Sequence, residues 1–299
     1  MNRNTAIVIG LGTNGLGVVR ALAKENVPIV KIDKNKKRLG YFSRYGSFCQ
    51  FSTLSGESFI IELKEFLIKF SQKPVIFLTE EATVNTVSQF RAQLESLCII
   101  IMPEEKCLNQ LMSKEGFDQL AEKYTLLRPR TLAIRSETDF SQIEHFKFPC
   151  ILKPGDKNAE YAKRFKKGYK CHNKDEVVKL CIEILPTLSH LVMQEWIEGD
   201  DQDIYFCLQY IDAHGSLVAS FTGKKLRSWP LPVGGTASCM PARESHDELC
   251  ESTYQFFKSA GAVGMCSMEY KKDNRDGHYY AVEPTVARTD FQQEIAFLN

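Results

Sequence analysis

The chain has 299 residues, 43% of them hydrophobic, which is enough for two or three lobes with cores of their own. Its 38 basic side chains nearly cancel its 37 acidic ones, leaving a formal charge of +1. That balance excludes a surface built overall to neutralise nucleic acid or an anionic membrane, so any basic cluster has to be judged locally.

The first half alternates strand and helix. An apolar run at 6–9 stops at glycines, as a buried parallel strand does. Helical spacing follows over 16–26, then a strand over 28–32 that ends at Asp33. An amphipathic helix is predicted at 59–70, a strand at 74–78, a helix at 84–97 and a fourth strand at 98–102. This rhythm predicts a parallel sheet with helices on both faces.

Near residue 105 the pattern changes. Helices are predicted at 104–112 and 114–124, a strand at 149–153, a helix at 174–185 and a strand at 191–197. A hairpin over 204–226 turns at Asp212-Ala213-His214-Gly215. A helix at 246–260 and strands at 264–271 and 279–283 follow. The second half is therefore an α+β region dominated by antiparallel pairs. The chain stops at Asn299, shortly after an apparent helix starts near Asp290, so a missing C-terminal portion is expected.

No run is as long as a membrane span, and the apolar stretch at the N-terminus is too short for a secretion signal. A cytoplasmic protein without a membrane span is expected. Ten cysteines occur with no CxxC pair and no histidines at zinc-finger spacing. They read as reduced core residues, with no disulfide and no structural metal.

Gly10-Leu11-Gly12-Thr13-Asn14-Gly15-Leu16-Gly17 joins the first strand to the first helix, with Asp33 at the end of the second strand. This is the dinucleotide-binding pattern in its usual setting: glycines for a tight turn, a helix N-terminus for phosphate, an acid for ribose. It supports an alternative reading as an NAD(P)-dependent oxidoreductase. The same turn also serves structural roles or touches substrate, and no hydride-transfer constellation follows it.

Four features of the second half suggest nucleotide chemistry. Lys153 closes an apolar strand, where an ammonium group either meets an anion or snorkels to solvent. Lys114 opens a helix and is unremarkable alone. The stretch Met193-Gln194-Glu195-Trp196-Ile197-Glu198-Gly199-Asp200-Asp201 is an apolar strand running into an acidic turn. Such an edge can hold an adenine and its ribose, or simply end in solvent. Glu269 and Glu283 sit on strands that would pair, and two like charges at close range call for a bridging cation such as Mg²⁺.

These pieces, in this order, resemble the ATP-grasp superfamily, in the group of carboxylate–amine ligases and carbamoyl-phosphate-synthase-like proteins. The resemblance covers nearly the whole chain. It implies an α/β, Rossmann-like pre-ATP-grasp domain over 1–105 and an α+β ATP-grasp domain over 106–299. The latter would have a small lobe at about 130–196 and a large lobe at about 197–299. It implies ATP and Mg²⁺ (or Mn²⁺) as cofactors, and small-molecule carboxylate and amine substrates rather than nucleic acid. Lys114 and Lys153 would hold phosphates, Gln194, Glu195, Trp196 and Ile197 adenine, and Asp201 or Asp203 ribose. Glu269, Glu283 and Thr285 would bind the metal, and Lys225, Arg227 and Arg288 would offset charge at the reacting phosphoryl group. The stretch 157–170 would cover the phosphates, and Gly234-Gly235-Thr236 would face the triphosphate and acyl substrate.

Two positions depart from the family. Thr285 stands where an asparagine ligand is usual, and Arg288 comes one residue late. They leave open a further alternative, an ATP-binding module with weak or no catalysis.

Overall fold

The computed structural model describes residues 3–155, 164–166, 168–229 and 235–289. Most of the expected phosphate-covering stretch, Gly234 and the apparent helix near Asp290 lie outside them.

The first unit runs β1 (Ala6–Ile9), α1 (Thr13–Lys24), β2 (Ile29–Asp33), β3 (Ser47–Gln50), α2 (Glu57–Leu67), β4 (Val75–Leu78) and α3 (Glu81–Gln89). Its four strands are parallel in the order β3-β2-β1-β4. The unbroken apolar run of β1 follows from burial on both faces. Ile7 and Ile9 pack with Phe59, Leu63, Val84 and Val87 of α2 and α3, while Val8 packs with Val18 and Val19 of α1.

The strand expected at 98–102 is reduced to a single parallel bridge, Val75 to Ile99. Two backbone bonds hold it, Ile76 N–H to Ile99 O at 3.0 Å and Ile99 N–H to Pro74 O at 2.8 Å. The chain then swings toward the large sheet, where the Ile101 carbonyl lies so close to Gly264 that a Cβ there would sit 2.2 Å away. The sheet takes its fourth strand from Ser47–Gln50 instead, whose mixed polarity hides a strand at a half-exposed edge.

α4 (Glu105–Met112) and α5 (Lys114–Lys123) follow. Ser113 separates them and caps α5, its hydroxyl accepting from Gly116 N–H at 3.0 Å. Next come β5 (Thr131–Ile134), β6 (Cys150–Pro154), β7 (Tyr169–Cys171), α6 (Lys174–Ile184) and β8 (Leu191–Glu195). These strands form an antiparallel sheet in the order β5-β8-β6-β7. One face, with Cys150, Leu152 and Met193, packs on Val177, Cys181 and Ile184 of α6.

The last unit comprises β9 (Ile204–Ile211), β10 (Leu217–Trp229), β11 (Gly235–Pro241), α7 (His246–Ala260), β12 (Gly264–Lys272) and β13 (Tyr279–Val286). Its antiparallel order is β11-β10-β9-β12-β13. Met268, Tyr270 and Ala281 on one face pack against Phe256 and Phe257 of α7. That core continues through Leu108, Leu111, Phe117 and Leu120 of α4 and α5 into the first unit. The other face of the large sheet meets the small sheet across a cleft.

The fold is therefore a parallel α/β unit followed by two antiparallel lobes. No described helix is long and apolar enough to cross a membrane. Among the described residues no cysteine forms a disulfide. Burial pushes Cys98 and Cys181 up to about 12, so both are protonated and act as small apolar side chains.

Candidate functional site

The cleft between the two antiparallel sheets is a cavity of about 840 Å³. Strand alternation decides which side chains reach it. On β12 and β13, Ser267 pairs with Thr285 and Glu269 with Glu283. Residues directly opposite on antiparallel strands point to the same face. Four oxygen-bearing side chains therefore stand together on the cleft side, and all four line the cavity. The intervening Met268 and Cys266 go to the opposite, buried face.

This donor set fits a divalent cation. It offers only hard oxygen atoms, two of them carboxylates in register, as suits Mg²⁺ held partly by phosphates and water. Among the described residues, no group of three or more His, Cys, Asp or Glu side chains is disposed to hold a metal. A cation here would thus need oxygen ligands from a bound polyphosphate, and the residues fit that arrangement.

β6 and β8 form the opposite wall. Leu152 is buried in the small core, which turns Ile151 and Lys153 to the cleft. The Lys153 ammonium donates to Gln194 Oε1 at 2.8 Å, and Gln194 Nε2 donates to Thr131 Oγ1 at 3.2 Å. Lys114 arrives from α5 and donates to the carbonyls of Pro154 at 2.9 Å and Gly155 at 3.3 Å. With Lys153, Gln194 and Glu283 it lines a side chamber of about 90 Å³. Two lysines from different elements thus converge on one end of the cleft.

The segment after β8 forms the cleft's edge. Glu195 N–H donates to Arg130 O at 2.9 Å and Trp196 N–H to Pro149 O at 3.2 Å. Ile197 is buried, lines the cavity, and its N–H finds no partner among the described residues. A backbone donor left without a protein partner beside a cavity suits a ligand acceptor. The Trp196 indole lies between two ammonium groups, Lys170 at 4.2 Å and Lys271 at 4.9 Å from its ring centre. Burial pulls Lys271 below the usual lysine range, partly countered by Asp203 and Glu198.

The two candidate ribose acids differ in position. Asp201 lines the cleft. Its carboxylate accepts from Ser228 N–H at 2.7 Å and Ser228 Oγ at 2.8 Å, leaving about half its acceptor sites open. Asp203 does not line it, since its Oδ2 accepts from Asp200 N–H at 2.8 Å and Asn274 Nδ2 at 3.1 Å.

Lys225 is 4% exposed, lines the cavity, and its ammonium has no hydrogen-bond or carboxylate partner among the described residues. Arg227 does not join it. Register shifts on either side of Arg227 break the strand alternation, so Lys225, Leu226 and Ser228 line the cleft while Arg227 is exposed outside. Arg288 lies at the far end, 3.5 Å from Thr285 Oγ1, despite its displaced position in the sequence.

Of the fourteen candidate residues, eleven line the main cavity, Lys114 lines its side chamber, and Arg227 and Asp203 line neither. The sequence reading assigned no role to Ser267 and Lys271, which also line the cavity. Both lie two residues from Glu269, so the two-residue period of β12 carried the signal.

The glycine-rich turn serves the fold. The Asp33 carboxylate accepts from Leu11 N–H at 2.7 Å and Asn35 N–H at 2.8 Å and is buried beneath the turn. A Cβ on Gly15 would lie 2.0 Å from Gly10 O, which explains the glycine there. Asn14 donates to the carbonyls of Thr79 and Thr289 and accepts from Thr289 Oγ1, tying the turn to the residue after Arg288.

No family model matches the chain. It is 24% identical over 224 residues to a D-aspartate ligase of Enterococcus faecium (strain Aus0004), covering 71% of this chain and 53% of that protein. The chain thus spans about half the length of this curated relative. Among solved structures it is similar to an ADP complex of PurK, N5-carboxyaminoimidazole ribonucleotide synthetase. That match has a TM-score of 0.70 and 13% identity, covering 97% of this chain and 71% of that one. The Staphylococcus aureus N5-carboxyaminoimidazole synthetase with ADP matches at TM-score 0.69 and 16% identity, covering 96% and 71%. Biotin carboxylase from Campylobacter jejuni matches at 0.69 and 14%, covering 98% and 67%.

Proposed function

We propose, from the premise that this chain has the ATP-grasp fold, that it is an ATP-dependent ligase joining a carboxylate to an amine. The observation that carries the reading is the cleft itself. A directly opposed carboxylate pair, Glu269 and Glu283, shares one cavity with Lys153 and the buried Lys225. Two acids and two ammonium groups around one space suit a metal-bound polyphosphate better than a purely apolar ligand.

In this reading the edge at Gln194, Glu195, Trp196 and Ile197 holds adenine, with the Ile197 N–H donating to the base. Asp201 accepts from the ribose hydroxyls. Lys114 and Lys153 neutralise phosphate oxygens. Glu269 and Glu283 would hold Mg²⁺, with Ser267 and Thr285 beside them. When bound, the ion would offset the charge that develops as a substrate carboxylate attacks the γ-phosphorus and ADP leaves. Lys225 and Arg288 stabilise the same charge from the large lobe. An amine then displaces phosphate from the acyl-phosphate. The protein's contribution is positioning and neutralisation.

The names of the similar proteins support this reading, since they include ligases and structures with bound ADP. The test is phosphate release from Mg-ATP across pooled carboxylic and amino acids. The wild-type chain should release phosphate with at least one pool. Lys153→Ala should lose at least about 100-fold, with its thermal midpoint little changed. A Lys153→Ala rate equal to wild type, or release by no pool, overturns the reading.

A further inference from the structure

The near-neutral total charge hides one strongly basic protrusion. Between Asp33 and Glu57 the sequence carries five cations, Lys34, Lys36, Lys37, Arg38 and Arg44, and no acid. The same stretch exposes large apolar side chains. Phe42 is 71% exposed, Leu39 54% and Tyr45 38%. Exposed apolar residues are common singly, but three within seven residues and flanked by exposed cations form a patch.

The protrusion is held from within. Lys31, on β2, is buried, and its ammonium donates to the carbonyls of Ser43 at 2.7 Å, Tyr41 at 3.3 Å and Gly40 at 3.5 Å. Gly40 N–H donates to Leu11 O at 2.8 Å, and a Cβ on Gly40 would lie 3.1 Å from Leu11. Tyr41 stacks edge-on against Phe48 at 4.8 Å. A buried lysine spent on three carbonyls of one short turn fixes that turn with Leu39 and Phe42 in solvent. Arg38 is engaged by Glu80 at 3.2 Å and Arg44 by the Tyr45 hydroxyl at 2.9 Å. The ammonium groups of Lys34, Lys36 and Lys37 have no partner among the described residues and are exposed.

We propose that residues 34–45 dock on an anionic lipid bilayer. Leu39, Phe42 and Tyr45 enter the headgroup region, and Lys34, Lys36, Lys37 and Arg44 pair with lipid phosphates. Charge complementarity selects this occupant. Two copies of the chain meeting patch to patch would set the same positive charges against each other. A nucleic acid would use the cations and the aromatic rings but would leave the aliphatic Leu39 unburied. A bilayer surface takes aliphatic, aromatic and cationic side chains together. The inference stands on residues outside the cleft and is independent of the ligase reading.

The experiment is co-sedimentation of the full chain with vesicles of phosphatidylcholine containing about one third phosphatidylglycerol, at low salt. Pure phosphatidylcholine vesicles and a single-stranded oligonucleotide serve as separate arms. The chain should pellet with the anionic vesicles and not with the neutral ones, and salt at about 0.5 M should release it. The double variant Lys36→Glu/Lys37→Glu should bind at least about tenfold more weakly, and Phe42→Ser several-fold more weakly. All these side chains are exposed, so the variants should melt at the wild-type temperature. Failure to pellet with anionic vesicles, equal binding by the variants, or stronger association with the oligonucleotide than with the vesicles overturns the proposal.

Discussion

Glu269 and Glu283 are held opposite each other by strand register on the cleft face. Two carboxylates so placed repel by about 1 kcal/mol even in bulk water, and by more where the wall excludes it. A cation bound between them would remove that cost. Thr285 sits beside them and offers a neutral hydroxyl, a weaker metal ligand than an amide oxygen, and Arg288 already approaches that hydroxyl. Under the proposed reading, Thr285→Asn should lower the Mg²⁺ concentration giving half-maximal phosphate release several-fold, and Thr285→Val should raise it. A metal titration of each variant checks this; no change in either direction would remove Thr285 from the metal shell.

Elements reach the cleft through alternation and its interruptions. Lys153, Glu269 and Glu283 were legible because each is a charge inside an apolar strand, and a two-residue period sends alternate residues to one face. Arg227, given a role only by the resemblance, lies outside the cleft, because the irregular register with β11 is not written in any local pattern. Two glycines separate local from tertiary constraint. Gly264 has φ of +84° and a Cβ there would meet Ile101 O at 2.2 Å, whereas Gly215 has φ of +81° with nothing within 4 Å. Gly215→Ala should cost about 1–2 kcal/mol from left-handed strain alone. Gly264→Ala should cost more, at least about 3 kcal/mol, because a backbone carbonyl must also move. Urea unfolding of both variants measures the difference, and equal losses would show that the 98–102 segment yields freely.

At the level of the whole molecule, one apolar core runs from the parallel unit through α4 and α5 to the large sheet, while the small sheet keeps a core of its own. The cleft lies between these two bodies, so a ligand that bridges them adds contacts that neither lobe makes alone. Mg-ATP at about 100 times its dissociation constant should contribute about 2.7 kcal/mol and raise the thermal midpoint by several degrees. NADH should leave the midpoint unchanged, since the acid expected at its ribose is buried inside the glycine turn. A larger rise with NADH than with Mg-ATP would restore the oxidoreductase alternative. The glycine turn, read from its pattern as a phosphate cradle or a structural joint, acts in the structure as a joint through Asn14 and Thr289.

The chain's own residues were enough to reveal an α/β unit followed by antiparallel lobes, and to single out eleven residues that line the cleft. Apolar periodicity and a charge placed within it are local signals, carried by neighbours a few positions apart. Strand pairing between distant segments was not encoded locally. The shrinking of the 98–102 strand to one bridge, the edge strand Ser47–Gln50, the outward turn of Arg227 and the cleft position of Asp201 all depend on which backbone groups find partners far along the chain. Those partners exist only once the sheets have assembled, because a hydrogen bond such as Ser228 to Asp201 joins positions that no sequence window brings together.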